Sequence, residues 1–448
     1  KQLASAARQL GKTRLLSELY GCSGWQMTFE NYKATGNWQA LFGINLRCHH
    51  MSWYTMEGEA KRDYPASIFF QSGWWQDFNK LEDYFSRLNF ILSQGKPSCD
   101  LLVINPVESV WCQVGIGWAN GLAAEAPEII KLEEQYSQLY NWLLGARIDY
   151  DYGDEEMISR LYRIDKDTEG TPVLWIGKAP YKTVLVSGML TIRSSTMNII
   201  EEFKKQGGNV IFAGEPPRYV DVVKSSRPET FSAQTICVPF EKDVIISICK
   251  KFISPVVEAT DSETGKPIDD IFCQVRIDRG IRYIVLMNMS TTQTYKNVKV
   301  TIPGTGTVTE WNCMSSEKML VRQKQSNKVV EITTDFYPSG EHLFVLEQEA
   351  EEMITASEEP LEQYKVLLPG PYNYQLSEKN ICVLDIASYK INKQKSVGPT
   401  EILKIDQAVR TSFGLKHRSG SMIQPWYSAK YGNNTTVRGV VTMNFEFQ

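Results

Sequence analysis

The sequence predicts a mixed α/β and β protein: a partial (β/α)8 barrel, a parallel α/β domain and antiparallel β-sandwich domains. Three observations support this prediction. Short apolar strands alternate with helices in residues 1–98, and continuous apolar strands alternate with helices in residues 99–254. From residue 255 to 348 the hydrophobic period becomes two, which is typical of antiparallel strands. At 448 residues the chain is too long for one compact core.

Residues 1–98 have the order helix, strand, long loop, strand, helix. KQLASAARQLGK predicts an amphipathic helix that ends at Gly11 and has one apolar side: Leu3, Ala6, Ala7 and Leu10. TRLLSELYG and ALFGINLRCHH follow as strands, and DFNKLEDYFSRLNFILSQGK as a long helix. Only two βα units are present, whereas a closed barrel needs about 250 residues. We therefore expect the last two units of a barrel, in a chain that begins inside it.

The remaining sequence predicts three further regions. DLLVINP, YKTVLVSG and GGNVIFAG are buried strands between helices, which indicates a parallel sheet covered on both faces in residues 99–254. Residues 255–348 contain the alternating runs of a β-sandwich, among them IFCQVRID and EHLFVLEQ. Residues 349–448 begin with an acidic linker and continue into the start of a further β-rich domain.

Composition narrows the range of partners and compartments. A net charge of −4 and a pI near 5.8 offer no basic surface for nucleic acid. No run approaches eighteen apolar residues, so no membrane segment is predicted. Nine scattered cysteines without a CxxC pair favour reduced thiols and a cytoplasmic location. The location stays open because the first residues do not resemble a natural N-terminus, and homo-oligomerisation stays open as well.

Glu18 is the candidate catalytic residue, because it ends the strand RLLSE. Catalytic groups of βα barrels lie where strands end, and a carboxylate there can serve acetal cleavage as base or nucleophile. The alternative is a solvated strand-end residue. Aromatic rings concentrate in the adjoining loops and could stack on sugar rings or pack against one another, among them Trp25, Trp53 and Tyr54.

The loop RCHHMSWYTMEGEAKRDYP holds two of the four histidines. His49 and His50 point to opposite sides of a strand, so at most one of them faces the site easily. Either could bind a sugar hydroxyl or hold Glu18 in place, and a structural role is the alternative. Glu59 and Arg62 could bind substrate or belong to a solvated loop. Cysteine and histidine never occur at zinc-ligand spacing, so no metal ligand is assigned, although calcium bound by carboxylates is compatible with the sequence.

The sequence resembles large bacterial glycoside hydrolases of the α-L-rhamnosidase type, family 106, and their uncharacterised relatives. The residues that carry the resemblance are SELYGCSGW, GNWQALFGINLRCHHMSWYTMEGEAKRDYPASIFFQSGWW and YFSRLNFILSQGKPSCDLLVINPVESVW. The resemblance implies that Glu18 ends the seventh barrel strand as the catalytic base and that His50 lies beside the bound sugar. It also implies a partner acid from an earlier strand, which would precede Lys1. Together with the loop residues considered above, the candidate substrate-binding residues are His50, His49, Trp25, Trp53, Tyr54, Glu59 and Arg62. LLPGPYNYQLSEKNICVLDIASYKIN resembles the start of the carbohydrate-binding-like β-domains that follow later in these proteins.

VLVSGMLTIRSSTMNIIEEFKKQGGNVIFAG is similar to the flavodoxin- or amidotransferase-like domain that follows such barrels. No cysteine occupies the turn after KTVLVSG and no His-x-Glu pair follows, so we expect a scaffold without ammonia chemistry.

The most direct hypothesis is a portion of a glycoside hydrolase that cleaves a terminal, α-L-rhamnoside-like sugar, without a cofactor and inactive as this chain alone. A retaining, β-galactosidase-like hydrolase and a noncatalytic carbohydrate-binding or assembly protein are the alternatives.

Overall fold

The computed structural model describes most of the chain as a mixed α/β protein with several separate sheets, as predicted. The described residues are 1–24, 27–52, 68–70, 72–120, 123–326, 328–348, 354–355, 369–375, 384–418, 427, 429–430 and 437–446. They form two compact units, of which the first comprises Lys1–Leu16, Lys33–Leu46 and Asp83–Glu358 and the second comprises Ser17–Tyr32, Arg47–Glu82 and Glu359–Gln448.

The described part of the first hundred residues contains three α-helices and three short strands, of which the first two are parallel to each other. The elements are α1 (Gln2–Gln9), β1 (Leu16–Leu19), α2 (Phe29–Leu41), β2 (Leu46–His49), a 3-10 turn (Trp75–Asp77), α3 (Phe78–Leu92) and β3 (Lys96–Pro97). Strand β1 pairs with β2. The carbonyl of Leu15 accepts from Leu46 N and that of Leu19 from His50 N, four residues further on both strands. Donor and acceptor advance together, so the strands are parallel.

A five-stranded parallel sheet forms the centre of the next region. The elements are β4 (Leu101–Ile104), α4 (Val107–Trp111), β5 (Ala119–Asn120), β6 (Ala123–Ala124), α5 (Pro127–Gly145), β7 (Tyr150–Gly153), α6 (Glu155–Leu161), β8 (Tyr162–Lys166), β9 (Pro172–Ile176), β10 (Ala179–Tyr181), β11 (Thr183–Ser187), β12 (Thr191–Ile192), α7 (Ser194–Lys205), β13 (Asn209–Ala213), β14 (Tyr219–Val220), β15 (Val223–Lys224), α8 (Arg227–Ser232), β16 (Ile236–Val238) and α9 (Lys242–Phe252). The strand order is β16-β13-β11-β4-β7, and every pair is parallel. This is the order of flavodoxin-like, doubly wound sheets.

Two further sheets pack face to face around an apolar core. The elements are β17 (Glu258–Asp261), β18 (Ile271–Asp278), β19 (Ile281–Asn288), β20 (Tyr295–Pro303), β21 (Thr307–Trp311), β22 (Lys318–Leu320), β23 (Gln323–Ser326), β24 (Val329–Phe336), β25 (Glu341–Glu347) and β26 (Ile354–Thr355). One sheet has the order β17-β20-β24-β23 and the other β26-β22-β21-β25-β19-β18-β3. Inward side chains such as Val300, Ile332 and Phe344 fill the core, as expected for a β-sandwich.

The described C-terminal part of the second unit includes a three-stranded antiparallel sheet and helix α10. Strands β27 (Ile386–Ile391), β28 (Val397–Glu401) and β29 (Val441–Asn444) have the order β28-β27-β29, and α10 (Ile402–Ser412) follows β28. The acidic linker predicted at residues 347–360 lies almost wholly outside the described residues.

Helix α1 buries only part of the apolar face predicted for it, since Ala7 is buried but the two leucines are not. Leu3 and Leu10 are 55% and 50% exposed, whereas Ser5 and Gln9 are buried. Ser5 Oγ accepts from Tyr152 N at 3.0 Å, and Gln9 Nε2 donates to Tyr152 O at 2.9 Å. The buried backbone of β7 needs hydrogen-bond partners, and satisfying it outweighs burial of the two leucines.

Arg147 connects the turn after α5 to the start of the β-sandwich. Its guanidinium donates to the carbonyls of Gly145, Ile268, Val257 and Ile271 at 2.7 to 3.3 Å and pairs with Glu258 at 3.3 Å. The residue is 4% exposed and adopts a left-handed backbone with φ of 59°. Burial lowers the pKa of Arg147, and Glu258 opposes this. The planar fork of arginine satisfies five acceptors that lysine could not reach together.

Replacing Arg147 with alanine should lower the free energy of unfolding by about 3 to 5 kcal/mol, because several buried acceptors lose their donor at once. Urea unfolding followed by far-UV circular dichroism measures this effect. The control is Arg160→Ala, which removes an exposed guanidinium paired with Glu156 and should leave the midpoint nearly unchanged. Equal midpoints for the two variants would contradict the role of Arg147.

The stability of the protein should depend on the ionisation of Glu155. Glu155 is fully buried, and its Oε2 accepts from Arg193 N at 2.8 Å. Burial raises its pKa to about 7, against the opposing effects of Thr196 and of the Arg193 amide. The pKa of Glu155 in the folded protein lies above the unfolded value of 4.5. The contribution of Glu155 to the free energy of unfolding is therefore greatest below pH 4.5 and falls as the pH rises towards 7.

The variant Glu155→Gln cannot ionise and should therefore lose this decline. Relative to the unmodified protein, it should gain on the order of 3 kcal/mol between pH 4 and pH 8. Chemical denaturation at both pH values measures the difference, with Glu156→Gln as the exposed control. A constant difference across this range would show that Glu155 does not titrate as described.

Candidate active site

Glu18 and His50 lie at the same end of the two parallel strands. Leu19 O accepts from His50 N at 2.8 Å, which aligns the end of β1 with the end of β2. His50 Nε2 is 3.9 Å from Glu18 Oε1. The carboxyl ends of neighbouring parallel strands share one edge, so the sequence places both side chains there.

The carboxylate of Glu18 is accessible. Its side chain is 66% exposed, and that of His50 is 31% exposed. His50 Nδ1 is buried and has no hydrogen-bond partner within the part of the chain that the structure describes. A Cβ at Gly21 would lie 3.3 Å from this nitrogen. Glycine at this position therefore lets the backbone pack closely on the imidazole ring.

Tyr20 follows β1 in a left-handed conformation, with φ of 70°. This conformation is uncommon for a bulky side chain and costs about 1 to 3 kcal/mol. Arg47 Nη1 donates to its hydroxyl at 2.9 Å, and the hydroxyl donates to Tyr32 O at 3.3 Å. Burial raises the pKa of Tyr20, and Arg47 opposes this. These bonds help to hold the sharp turn that directly follows Glu18 and Leu19.

Glu82 on α3 bridges two residues of β2, and sequence reasoning missed it. Arg47 Nη2 donates to Oε2 at 2.9 Å, and His49 Nε2 lies 3.0 Å from Oε1. Burial alone raises the pKa of Glu82, but the hydrogen bond to His49 and the charge of Arg47 outweigh it and lower the pKa. The nitrogen of His49 is thus engaged by Glu82, while His50 faces Glu18. This arrangement matches the alternation of side chains along a strand.

A cluster of aromatic rings packs beneath these groups in the second unit. Phe78 lies 5.9 Å from the ring of His49 and 5.6 Å from that of Trp74, and Tyr32 lies 4.7 Å from Tyr20. Phe29 lies 5.3 Å from Trp74. Edge-to-face and tilted ring contacts of this kind stabilise the loops of the site. Trp74 and Tyr32 therefore contribute packing, whereas Trp75 is 39% exposed.

Five predicted substrate-binding residues lie outside the described part of the chain: Trp25, Trp53, Tyr54, Glu59 and Arg62. Their assignment stays a prediction. Across the described ranges, no group of three or more histidine, cysteine, aspartate or glutamate side chains has the arrangement of a metal site. No described helix is long and apolar enough to span a membrane.

Ser187 lies at the end of a central strand of the five-stranded parallel sheet. Ser187 ends β11, and its Oγ donates to Ala213 O at 3.1 Å. This bond engages the hydroxyl proton in the neighbouring strand. The scaffold role expected for residues 99–254 stays a prediction.

Comparisons with known proteins identify similar folds but no family. No protein-family model and no curated protein matches the sequence. A rhamnosidase from Novosphingobium sp. PP1Y superposes with a TM-score of 0.54 and 13% identity, over 88% of this chain and 36% of that chain. A β-galactosidase from Bacillus circulans sp. alkalophilus gives a TM-score of 0.48 and 10% identity, over 77% of this chain and 57% of that one.

An α-L-fucosidase isoenzyme 2 from Paenibacillus thiaminolyticus gives a TM-score of 0.40 and 12% identity, over 78% of this chain and 67% of that chain. The first superposition shows that this chain shares its fold with part of the rhamnosidase. The chain spans about a third of the length of that protein.

Replacing Glu82 with glutamine should lower the free energy of unfolding at pH 7 by about 1 kcal/mol, since it weakens two charge-assisted bonds of a side chain that is 40% exposed. The folded pKa of Glu82 is depressed, so this contribution is present above pH 4.5 and disappears as the pH falls further. Urea titrations at pH 7 and pH 4 measure it, with Asp83→Asn as the exposed neighbouring control. A penalty of equal size at both pH values would refute the ionic role of Glu82.

Proposed function

We propose that this chain is a portion of a glycoside hydrolase that removes a terminal sugar, with an α-L-rhamnoside-like substrate. The observation that carries the proposal is the exposed carboxylate of Glu18, 3.9 Å from His50 at the shared end of two parallel strands. The fold shared with the rhamnosidase supports the same proposal. The division into domains at residues 1–98, 99–254, 255–348 and 349–448 is part of it.

In this proposal Glu18 is the general base of an inverting reaction. Its carboxylate takes a proton from water while the water oxygen attacks the anomeric carbon and the glycosidic bond breaks. A separate carboxylic acid elsewhere in the whole enzyme gives its proton to the departing oxygen. Glu82 does not suit that second role, because a general acid needs a raised pKa and its pKa is lowered.

His50 has a binding role in the proposal. Its Nε2 is within reach of both the Glu18 carboxylate and a molecule beside it, so it can orient Glu18 or bind a sugar hydroxyl. Trp25, Trp53, Tyr54, Glu59 and Arg62 are proposed to complete the sugar site through stacking and hydrogen bonds. His49 is proposed to assist through Glu82, to which it is bonded. No cofactor is required by this chemistry, and nucleic acid and membrane are not among the proposed partners.

Two alternatives differ from this proposal in one measurable respect each. A retaining, β-galactosidase-like enzyme would use Glu18 as the nucleophile and would release the sugar with its original anomeric configuration. A noncatalytic carbohydrate-binding or assembly protein would bind sugar without turnover. The exposure of Glu18 favours the catalytic proposals, because a carboxylate already held by cations is less available to activate water or attack the sugar.

The test is hydrolysis of p-nitrophenyl glycosides, including the rhamnoside, galactoside and fucoside, by the natural polypeptide that contains this sequence. Glu18→Gln should lower kcat by about 100- to 10,000-fold with little change in KM, since a base acts in the transition state. The control Glu30→Gln changes an exposed glutamate on α2 and should keep full activity. Proton NMR of the first-formed anomer separates inversion from retention.

Unchanged turnover in Glu18→Gln would refute the role of Glu18. Absence of turnover with every glycoside, together with calorimetric binding of a sugar to the 448-residue chain, would favour the noncatalytic alternative.

A further inference from the structure

A cavity of about 390 Å³ lies within the first unit, among α1, the residues that precede β1 and β2, and strand β18. Its volume is within the range of small-molecule sites, which is about 300 to 1,000 Å³. Glu18 belongs to the second unit, so this cavity shares no residue with the candidate active site.

The surface of the cavity is largely apolar, but five basic side chains are among its lining residues. They are Arg8, Lys12, Lys96, Lys178 and Arg276. The one carboxylate among the described lining residues is Asp151, and it is already engaged by Arg8 at 3.1 Å and by the Tyr181 hydroxyl at 3.0 Å. Within the described chain, none of the three lysines forms an ion pair. The three lysines are exposed, whereas Arg8 is paired with Asp149 and Asp151. The positive charge that no acidic group offsets therefore comes from the lysines and Arg276.

Strand β18 turns two polar side chains towards this cavity. Its odd-numbered residues, such as Cys273 and Val275, pack into the sandwich core. Because successive residues of a strand face opposite sides, Gln274 and Arg276 face the other way and line the cavity. Strand β3 pairs with β18 beside them.

The side chain of Gln274 is evidence for a ligand that is separate from the basic residues of the cavity. Gln274 is 1% exposed, and both its Nε2 and its Oε1 are buried without a hydrogen-bond partner in the described structure. An unsatisfied buried amide is costly and uncommon in folded proteins. Its donor and acceptor would both be satisfied by a hydroxylated molecule in the cavity.

Arg276 remains a cation at neutral pH. Burial lowers its pKa to about 10, with a smaller contribution from the charge of Arg8. Its Nε donates to Gln94 O, and its Nη2 donates to Gly95 O at 2.8 Å. These bonds fix the guanidinium at the wall of the cavity, where its charge adds to that of the lysines.

We propose that this cavity binds a small phosphorylated, hydroxyl-bearing molecule such as a sugar monophosphate. A phosphate monoester carries a charge of about −1.5 to −2 at pH 7 and offers only strong acceptors, which fits three lysines and an arginine. The hydroxyl groups of the ligand satisfy Gln274. The site is distinct from the proposed glycosidase function and does not depend on it.

Isothermal titration calorimetry in phosphate-free buffer at low salt tests the proposal with four probes: glucose 6-phosphate, inorganic phosphate, glucuronate and glucose. Glucose 6-phosphate should bind most tightly, inorganic phosphate more weakly, and glucose not measurably. The variant K12Q/K96Q/K178Q should weaken binding of glucose 6-phosphate by about tenfold or more. The matched control K166Q/K205Q/K324Q has the same net charge but alters exposed lysines elsewhere, and it should bind like the unmodified chain.

Gln274→Leu separates a ligand-binding role from a structural one. Leucine removes the unsatisfied amide, so the variant should melt at a higher temperature without ligand and bind glucose 6-phosphate more weakly. A lower melting temperature with unchanged binding would overturn the proposal. So would equal affinities of the two triple-lysine variants, or tighter binding of glucuronate than of glucose 6-phosphate.

Discussion

The buried guanidinium of Arg147 is the interaction on which the arrangement of the first unit depends. Four backbone carbonyls and one carboxylate converge on it, and two of those carbonyls belong to Ile268 and Ile271, where β18 begins. Fixing the start of a strand fixes which residues face each side, because the side-chain period is two. Arg147 therefore helps to direct Cys273 and Val275 into the sandwich core, and Gln274 and Arg276 into the cavity.

Two carboxylates of the second unit, those of Glu82 and Glu18, have different environments. Glu82 is drawn into a hydrogen-bonded bridge between Arg47 and His49, so it positions β2 and has a lowered pKa. Glu18 ends the adjacent strand with most of its surface exposed and only a long contact to His50. A carboxylate already committed to cations contributes stability, whereas an exposed one can exchange water for substrate. This physical difference makes Glu18 the stronger candidate for chemistry.

The spacing of apolar residues in the sequence predicted the large helices and strands, because burial of one or both faces of an element requires apolar residues at regular positions. Both the parallel strands, such as β11, and the long sandwich strands, such as β18, were predicted in this way. The buried face of α1 was predicted only in part: Ala7 is buried as expected, but Ser5 and Gln9 are buried in place of the leucines by bonds to a distant strand. Glu82 was missed for a related reason. Its role arises from partners 33 and 35 residues earlier in the chain, and no local pattern encodes that proximity.

The cavity beside β18 illustrates why polar groups without partners are more informative than buried leucines. A protein gains nothing by burying the amide of Gln274 without hydrogen bonds, and the exposed lysines around the cavity repel one another and Arg276 to a small extent. Both costs fall on the ligand-free protein, and a single anion with hydroxyl groups relieves both. Such a molecule would bind the folded chain but not the unfolded one, so its binding energy would add to the stability of the first unit. The same strand would then serve two purposes, with an apolar face that builds the sandwich and a polar face that recognises a ligand.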